Sequence, residues 1–174
     1  HFRHAFLQGD ALGYRTSLKN GTYVRPALLP AMAWKGSHAP AAPAGLSAAA
    51  GDKGAVNLAW APAGHSADEF EKTRKYAIYR SLDREMDLEN PASLLGLTDT
   101  ATNAFADGSV APGQYYYYTV TALNRLSVES TRAATVSNDF EAPSVRTRAV
   151  SVTLADGRAS VTASQLDGGS SDNW

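Results

Sequence analysis

Residues 114–124 have the sequence QYYYYTVTALN, in which two sets of side chains alternate along the chain. One set consists of Tyr116, Tyr118, Val120 and Ala122, and the other of Tyr115, Tyr117, Thr119 and Thr121. Alternation with period two is typical of a β-strand, because successive side chains of a strand point to opposite faces of its sheet. Aromatic and β-branched residues also favour strands. The stretch therefore predicts a strand with one buried face and one solvent-facing side.

Two earlier segments show the same alternation. VNLAW at residues 56–60 puts Trp60 in phase with two aliphatic side chains, and YAIYR at residues 76–80 puts Tyr76 in phase with Ile78. Turn residues recur about every 8–12 positions, which is the spacing of short strands joined by turns. We therefore expect an all-β fold, a seven-stranded antiparallel sandwich with irregular N-terminal and C-terminal extensions.

The interior of this sandwich is predicted from the phase that carries the large apolar and aromatic side chains. A two-layer fold buries one face of each sheet, so these residues would meet between the layers. The predicted core consists of Trp60, Tyr76, Ile78, Tyr116, Tyr118 and Val120.

Two proline-containing linkers divide the chain. HAPAAPAG at residues 38–45 precedes the predicted sandwich, and EAPS at residues 141–144 follows it. Prolines favour an extended and fairly stiff connection. The predicted parts are the tail of an upstream domain, the sandwich and a truncated β module, at residues 1–38, 39–141 and 142–174. The chain opens on His1 rather than Met, so we expect a fragment or a processed product.

The composition excludes several classes of function. The 174 residues contain 16 Lys and Arg against 17 Asp and Glu, and no cysteine. A net charge of −1 leaves no broad basic footprint for nucleic acid. Without cysteine there is no disulfide framework and no thiolate zinc site. No apolar run approaches the roughly 20 residues of a membrane span, so we expect none.

Residue types that catalyse reactions are present, but the sequence does not arrange them for chemistry. The four histidines lie in the tail or in predicted loops, at His1, His4, His38 and His65. Four acidic residues alternate along one polar segment, at Asp83, Glu85, Asp87 and Glu89. Exposed carboxylates in such a segment mainly serve solubility. We therefore predict no catalytic residue, no metal ligand set and no cofactor in this chain.

Taken in order, the spaced features resemble a fibronectin type III domain over about residues 42–138. The second strand, VNLAWAP, ends in a tryptophan. The third strand is YAIYRS, the sixth is PGQYYYYTVTALN and the last is LSVESTRAATVSN. The resemblance implies that Trp60 is the core aromatic residue. It also implies that Tyr116 is the tyrosine-corner residue, whose hydroxyl bonds back to the preceding turn.

A second resemblance lies in PALLPAMAW at residues 26–34. This stretch is similar to the carboxyl-terminal tail of glycoside hydrolase family 10-like barrels of secreted bacterial proteins, in which it leads into a fibronectin type III domain. The matching residues are Pro26, Ala27, Leu28, Pro30, Met32 and Trp34. The departure is Ala33, where the family often has another proline. The resemblance implies that the catalytic carboxylates lie upstream of residue 1, and it carries none of them over to this chain.

The last segment, VSVTLADGRASVTASQLDGGSSDNW, resembles the opening hairpin of the immunoglobulin-like modules of large secreted bacterial proteins. Asp156 and Gly157 would form the two-residue turn between two alternating strands. The segment is too short for a complete sandwich, so we expect a truncated module.

The outward face of the tyrosine-rich strand is the strongest functional lead. Tyr115 and Tyr117 would point away from the core, and Tyr79 would adjoin them from the neighbouring strand. Three interpretations remain open for this patch. It is a wet face of ordinary strand residues, a surface docked by a partner domain or the amino-terminal tail, or a stacking surface for sugar rings.

The tail carries a separate apolar cluster, Leu28, Leu29, Met32 and Trp34. Burying these side chains is worth several kcal/mol at about 25 cal/mol per Å², so we expect them to find an apolar surface. Met32 and Trp34 are therefore further candidate contact residues.

These features predict a non-catalytic accessory domain from the C-terminal region of a secreted bacterial, carbohydrate-acting protein, outside the cell, at its surface or in the periplasm. Its partners would be the neighbouring domains of the same polypeptide, which it would space and orient. The alternative is a carbohydrate-binding or adhesion module that binds polysaccharide through the tyrosine patch.

Overall fold

The structure is a computed structural model that describes residues 10, 12–21, 23–35, 38–64 and 66–171. The chain divides into two compact units, of which the first ends at Asn138 and the second begins at Asp139.

The first unit contains seven strands among its described residues. They are β1 Ala44–Ala50, β2 Val56–Ala61, β3 Thr73–Ser81, β4 Leu94–Asp99, β5 Ala104–Asp107, β6 Tyr117–Asn124 and β7 Val136–Ser137. One sheet has the order β1-β2-β5 and the other the order β4-β3-β6-β7, and every pairing is antiparallel. The predicted seven-stranded antiparallel sandwich is confirmed. A short helix, α1 Tyr14–Asn20, precedes it, and single 3₁₀ turns lie at Ala33–Lys35 and Asp52–Gly54.

The core between the two sheets is built around an aromatic pair. The Trp60 ring of β2 meets the Tyr76 ring of β3 edge-on, with centroids 5.4 Å apart and planes at 70°. The Tyr76 hydroxyl accepts a hydrogen bond from the buried Ala63 N–H at 3.0 Å. Buried side chains alternate along β2, as period two requires. All six predicted residues lie in this core, and Tyr116 is half-buried at its margin. The six are Trp60, Tyr76, Ile78, Tyr116, Tyr118 and Val120.

The second face of β6 is also buried, which corrects the expectation of a wet face. Thr119 and Thr121 are fully buried, and Tyr117 is half-buried. Thr119 Oγ1 donates to the Ala133 carbonyl at 2.9 Å, so its polar group is satisfied. Period two correctly separates the two faces of a strand, but it carries no information on what covers the second face.

The predicted last strand is mostly irregular. Only Val136–Ser137 pairs as a strand, although the Ser130 N–H donates to the Ala122 carbonyl and the Ala133 N–H to the Val120 carbonyl, both at 2.8 Å. Residues 126–138 therefore follow β6 through separate hydrogen bonds. The polar segment before β3 consists of turns and bends at residues 67–72.

The second unit contains the predicted turn without the predicted strands. Asp156 and Gly157 have φ of 53° and 73°, the positive values of a two-residue hairpin turn, and Ala155 bridges Arg158. The other pairings within residues 139–171 are isolated bridges, and a four-residue helix, α2 Ala163–Leu166, lies among them. The predicted hairpin of two continuous strands is therefore wrong, because its apolar residues lie exposed with no second layer to pack against.

We predict that Tyr76→Phe lowers the free energy of unfolding by about 1–2 kcal/mol. The substitution keeps the ring against Trp60 but leaves the buried Ala63 N–H without an acceptor. Urea unfolding followed by tryptophan fluorescence measures the loss. Tyr23→Phe, at an exposed tyrosine, is the matched control and should change the free energy by less than about 0.5 kcal/mol. Equal effects of the two substitutions would contradict this role of the hydroxyl.

Candidate partner-binding surface

A segment with little regular structure, residues 23–35, lies against the outer side of the four-stranded sheet, and we call it the strap. Arg25 Nη1 donates to the Ala92 carbonyl at 2.8 Å, and the Met32 N–H donates to the Leu126 carbonyl at 2.8 Å. Between these two bonds Leu28 packs against apolar residues of the sheet. The strap is therefore attached to the sandwich at three points.

The two hydrogen bonds of the strap lie at opposite ends of β3. Ala92 immediately precedes Ser93, whose carbonyl accepts from the Arg80 N–H near the end of the strand. Leu126 follows β6, whose last residue pairs with Thr73 at the start of β3. The strap thus runs along the length of the sheet rather than touching it at one place.

The residues beneath the strap form a second apolar core, which we call the outer-face cluster. Its buried members are Ala77, Tyr79, Met86, Leu94 and Leu123, and Leu28, Leu88, Leu97 and Tyr117 pack against them. Met86 and Leu88 come from the loop between β3 and β4, and Leu28 comes from the strap. Two segments outside the sheet therefore supply its cover.

Tyr79 belongs to this cluster and is only 1% exposed. Its hydroxyl donates to Glu129 Oε1 at 2.6 Å. Burial raises the pKa of Tyr79 well above its ordinary value, and the neighbouring Glu129 carboxylate raises it further. An open surface of three tyrosines is therefore not formed, since Leu28 of the amino-terminal tail, one of the three kinds of cover considered for this patch, packs on the same cluster. Tyr117 is half-buried on the cluster, and Tyr115 is 36% exposed.

The apolar residues of the tail are covered unevenly. Leu28 and Met32 are half-buried against the sandwich. Leu29 and Trp34 are 73% and 77% exposed, so the expectation that all four residues find cover is met only in part. The exposed apolar residues of the strap, which we call its outward face, are Tyr23, Val24, Leu29 and Trp34. Exposed apolar residues concentrated in one segment are a feature of interaction sites.

A groove of about 370 Å³ opens between the strap and the sheet. Its apolar lining includes Leu28, Leu97 and Leu123, and its cations are Arg74, Lys75 and Arg125. We call it the cationic groove. It is completed by Ala27, Leu29, Asn124 and Ser127.

An ion pair between a buried carboxylate and a partly exposed arginine lies at the far end of β3, in contact with the sandwich core. Arg80 Nη1 binds Asp107 Oδ2 at 2.7 Å, and the Tyr118 hydroxyl donates to the same oxygen at 3.0 Å. The Arg80 guanidinium lies 4.4 Å from the centroid of the Tyr116 ring. The Tyr118 hydroxyl thus binds the side chain of the last residue of β5, and the corner role implied for Tyr116 stays a prediction.

The electrostatics of this pair follow from its burial and its partners. Burial opposes ionisation of Asp107, but hydrogen bonds from Ser109 and Arg80 outweigh it, so the pKa of Asp107 lies below its ordinary value of 3.8. Burial and the Asp107 carboxylate raise the pKa of Tyr118 well above its usual range. The sequence carried a signal for this site, since Arg80 shares the phase of Tyr76 and Ile78. A charge on a core-facing phase needs a buried partner.

The remaining titratable residues have local roles. In the acidic segment, Asp83 and Asp87 accept backbone N–H bonds from residues two positions on, as in ordinary turns. His38 Nδ1 lies 3.1 Å from Glu71 Oε1, while His1, His4 and His65 lie outside the described residues. Within the described ranges, no three His, Asp or Glu residues are grouped to hold a metal ion. No helix of that part of the chain has the length and apolar character to cross a bilayer.

The strand order and the aromatic pair between β2 and β3 define residues 44–137 as a fibronectin type III-like sandwich. No family model matches the chain. The chain is 33% identical over 133 residues to the glycosyl hydrolase YngK of Bacillus subtilis (strain 168), a match that covers 75% of this chain and 24% of the relative. The chain thus spans about a quarter of that relative. The match is also longer than the sandwich itself, so it includes flanking sequence.

Solved structures give similar but partial superpositions. An Fn3-like protein from Clostridium thermocellum is 30% identical with a TM-score of 0.42, over 57% of this chain and 92% of that one. A β-1,2-glucanase from Parabacteroides distasonis is 26% identical with a TM-score of 0.44, over 64% of this chain and 13% of the enzyme. The class of the fold is defined by its strand order, independently of these superpositions.

We predict that Asp107→Asn costs roughly 2–4 kcal/mol of unfolding free energy at pH 7, because it leaves the Arg80 guanidinium without a carboxylate. A carboxyl whose folded pKa is lowered stabilises the fold above its ordinary pKa and loses this effect as the pH falls through the folded value. The difference between wild type and variant should therefore shrink below about pH 4. Urea unfolding at pH 7 and pH 3 measures both quantities.

Asp87→Asn is the matched control for this experiment, since it removes a carboxylate from an exposed turn while keeping the accepting oxygen. It should change the free energy of unfolding by less than about 0.5 kcal/mol at pH 7. A difference between wild type and Asp107→Asn that is equally large at pH 7 and pH 3 would contradict the stabilising role of the ionised carboxylate.

Proposed function

We propose that the chain is a non-catalytic accessory module of a longer, secreted bacterial protein related to glycoside hydrolases, and that it holds neighbouring domains in a fixed orientation. The observation that carries this proposal is the attachment of the strap along the whole length of β3. A segment attached at both ends and at its middle transmits the orientation of whatever precedes it, whereas a free linker does not.

The linker that joins the strap to β1 supports the same role. The Asn124 side-chain amide donates to the His38 carbonyl at 3.0 Å, and Pro40 and Pro43 are buried. Proline restricts φ in the chain, so this connection has few conformations to lose on folding. From the strap to β1, the described backbone is thus restrained by its own contacts with the sandwich.

The outward face of the strap supplies the surface for a neighbouring domain. The module would present Trp34, Leu29 and their neighbours to that domain, and Met32 would hold the opposite side of the strap on the sandwich. Aromatic residues such as tryptophan are the usual anchors of protein interfaces, and the buried core around them is more apolar than the rim. The position of the barrel-tail resemblance, residues 26–34, falls within the strap and supports a preceding domain of that class.

The wider context is proposed from the relative. YngK is named a glycosyl hydrolase, and its match with this chain includes sequence outside the sandwich. We infer that residues 1–38 end a preceding domain, that residues 39–141 are the accessory sandwich and that residues 142–174 begin a further module. Catalysis would take place in another part of the polypeptide, and secretion would bring the protein to its polysaccharide.

We predict that Leu28→Ala loosens the strap, because it removes the apolar contact between the two hydrogen-bonded ends. The loss of unfolding free energy should be about 1–3 kcal/mol, as expected for truncation of a half-buried leucine. Hydrogen exchange of the Met32 amide, which is bonded to Leu126, should accelerate, and amide order parameters should fall across residues 23–35.

Leu29→Ala is the matched control, since it removes the same side chain from an exposed neighbouring position. Its effect on stability should stay within about 0.5 kcal/mol, with unchanged exchange at Met32. A wild-type strap that already has order parameters below about 0.6 would overturn the orienting role, because it would then be a flexible tether.

We predict that the chain on its own does not hydrolyse a panel of β-linked and α-linked oligosaccharides above the rate of a buffer blank. The physical reason is that carboxylates 83–89 lie exposed in turns, where they keep no paired acid and base geometry. Reducing-sugar release over a day at pH 5 and pH 7 measures it. Hydrolysis that survives repurification and is lost in a carboxylate variant of this chain would overturn the non-catalytic assignment.

A further inference from the structure

The cationic groove combines an aliphatic lining with a positive rim. Leu28 of the strap, Leu97 of β4 and Leu123 of β6 provide the apolar part of the lining, and Arg74 and Lys75 come from the start of β3. Arg125 follows β6 in the next turn, and its guanidinium lies 5.5 Å from the centroid of the Phe70 ring. The cations are therefore carried by the sheet and an adjacent turn rather than by a free tail.

The charge of this region is not balanced by its own carboxylates. The residues that line the groove include three cations and no acidic side chain. Glu69 is the acidic residue that pairs with a cation of the rim, bonding Arg74 at 2.9 Å, and it is shared with Lys72. Glu69 thus pairs with two cations and is also close enough to Arg125 to have its pKa lowered by it. Asp99 lies opposite Lys75 across the β3–β4 pairing. The four cations Lys72, Arg74, Lys75 and Arg125 still outnumber these two carboxylates. A ligand with negative charge would complete the pairing.

The lining also limits the chemical class of the ligand. It contains leucines and alanine but no aromatic ring on which a sugar could stack. A small inorganic anion would leave the leucines uncovered. A ligand that satisfies both parts needs aliphatic side chains between carboxylates, which is a description of an acidic, leucine-containing protein segment.

We propose that the cationic groove is a docking site for an acidic, aliphatic segment of a neighbouring domain of the same polypeptide. This inference rests on the proposed function for the identity of the partner. Leu29 belongs both to the groove and to the outward face of the strap, so the two surfaces are continuous. A domain that covers the outward face would then place one of its own acidic segments in the groove.

Acidic docking has a distinct physical signature. Ion pairs at an exposed rim are screened by salt, because the Debye length falls from about 10 Å at 0.1 M to about 3 Å at 1 M ionic strength. Binding should therefore weaken severalfold when the salt concentration rises over this range. Burial of leucine side chains alone would not weaken in this way.

The test uses the full chain, labelled with ¹⁵N, and two synthetic peptides. The probe is acetyl-Glu-Leu-Asp-Leu-Glu-amide, and the control is its uncharged counterpart, acetyl-Gln-Leu-Asn-Leu-Gln-amide. The acidic peptide should shift the amide signals of residues 27–29, 74, 75 and 123–127, and should bind at least tenfold more tightly than the control. Equal binding of the two peptides, or shifts that map outside these residues, would overturn the proposal.

Charge reversal in the protein provides the second arm. Lys75→Glu and Arg125→Glu should each weaken binding of the acidic peptide at least fivefold. Arg84→Glu makes the same change in charge at an exposed position in the loop after β3 and should leave binding unchanged. Unfolding free energies within about 1 kcal/mol of the wild type show that the variants remain folded. Equal loss of binding in all three variants would overturn the site, since it would indicate a response to net charge.

Two further outcomes separate this proposal from others. If the groove signals shift with protein concentration before any peptide is added, the occupant is a second copy, whose acidic segment at residues 83–89 fits the same charge, and the proposal is wrong. If the peptide fails to bind but the strap keeps its slow exchange, the groove assignment fails and the orienting function stands. If the strap is mobile but the peptide still binds, the groove assignment stands and the orienting function fails.

Discussion

Both faces of the β3–β6 pair are buried, and the rest of the first unit is arranged around this constraint. On the inner face, Tyr76 and Tyr118 pack in one core with Trp60 of the three-stranded sheet. The outer face carries Tyr79 and Leu123, which would be costly to leave in water at about 25 cal/mol per Å². Cover for this second face comes from outside the sheet, so the strap and the loop after β3 become part of the folded core.

Burial of two faces also explains the placement of the charged residues. On each face a tyrosine hydroxyl donates a hydrogen bond to a carboxylate. Tyr118 donates to Asp107, and Tyr79 donates to Glu129. Each hydroxyl would otherwise be a buried polar group without a partner, at a cost of about 1–3 kcal/mol. Arg80 completes the pair at Asp107 and lies over the Tyr116 ring. The polar groups thus lock the register of the strands that the apolar residues hold together.

The proposed function follows from the same geometry. A strap that is needed to cover the sheet cannot also be a loose linker, because releasing it would expose the outer-face cluster. The cost of that exposure would give the proposed preceding domain a preferred direction. The outward face and the cationic groove then lie on a surface whose position relative to the sandwich is set by the core.

The sequence by itself determined the class of fold and the location of three of its strands. Period-two alternation located β2, β3 and β6, because it reports which side chains share a face of a strand. The same alternation over residues 150–161 indicated two strands that the structure lacks, because a strand persists only when another layer covers it. Local pattern thus separates two faces without identifying their cover.

Only the tertiary structure determined what covers the outward tyrosines and which charged residues come together in the groove. Tyr79 lies in one cluster with Leu28, a residue far away along the chain, and Arg80 meets Asp107 across 27 positions of sequence. The groove likewise joins the strap to β3, β4 and β6. Contacts over such separations depend on how the chain folds in three dimensions. The alternation of neighbouring residues carries no information about these long-range contacts.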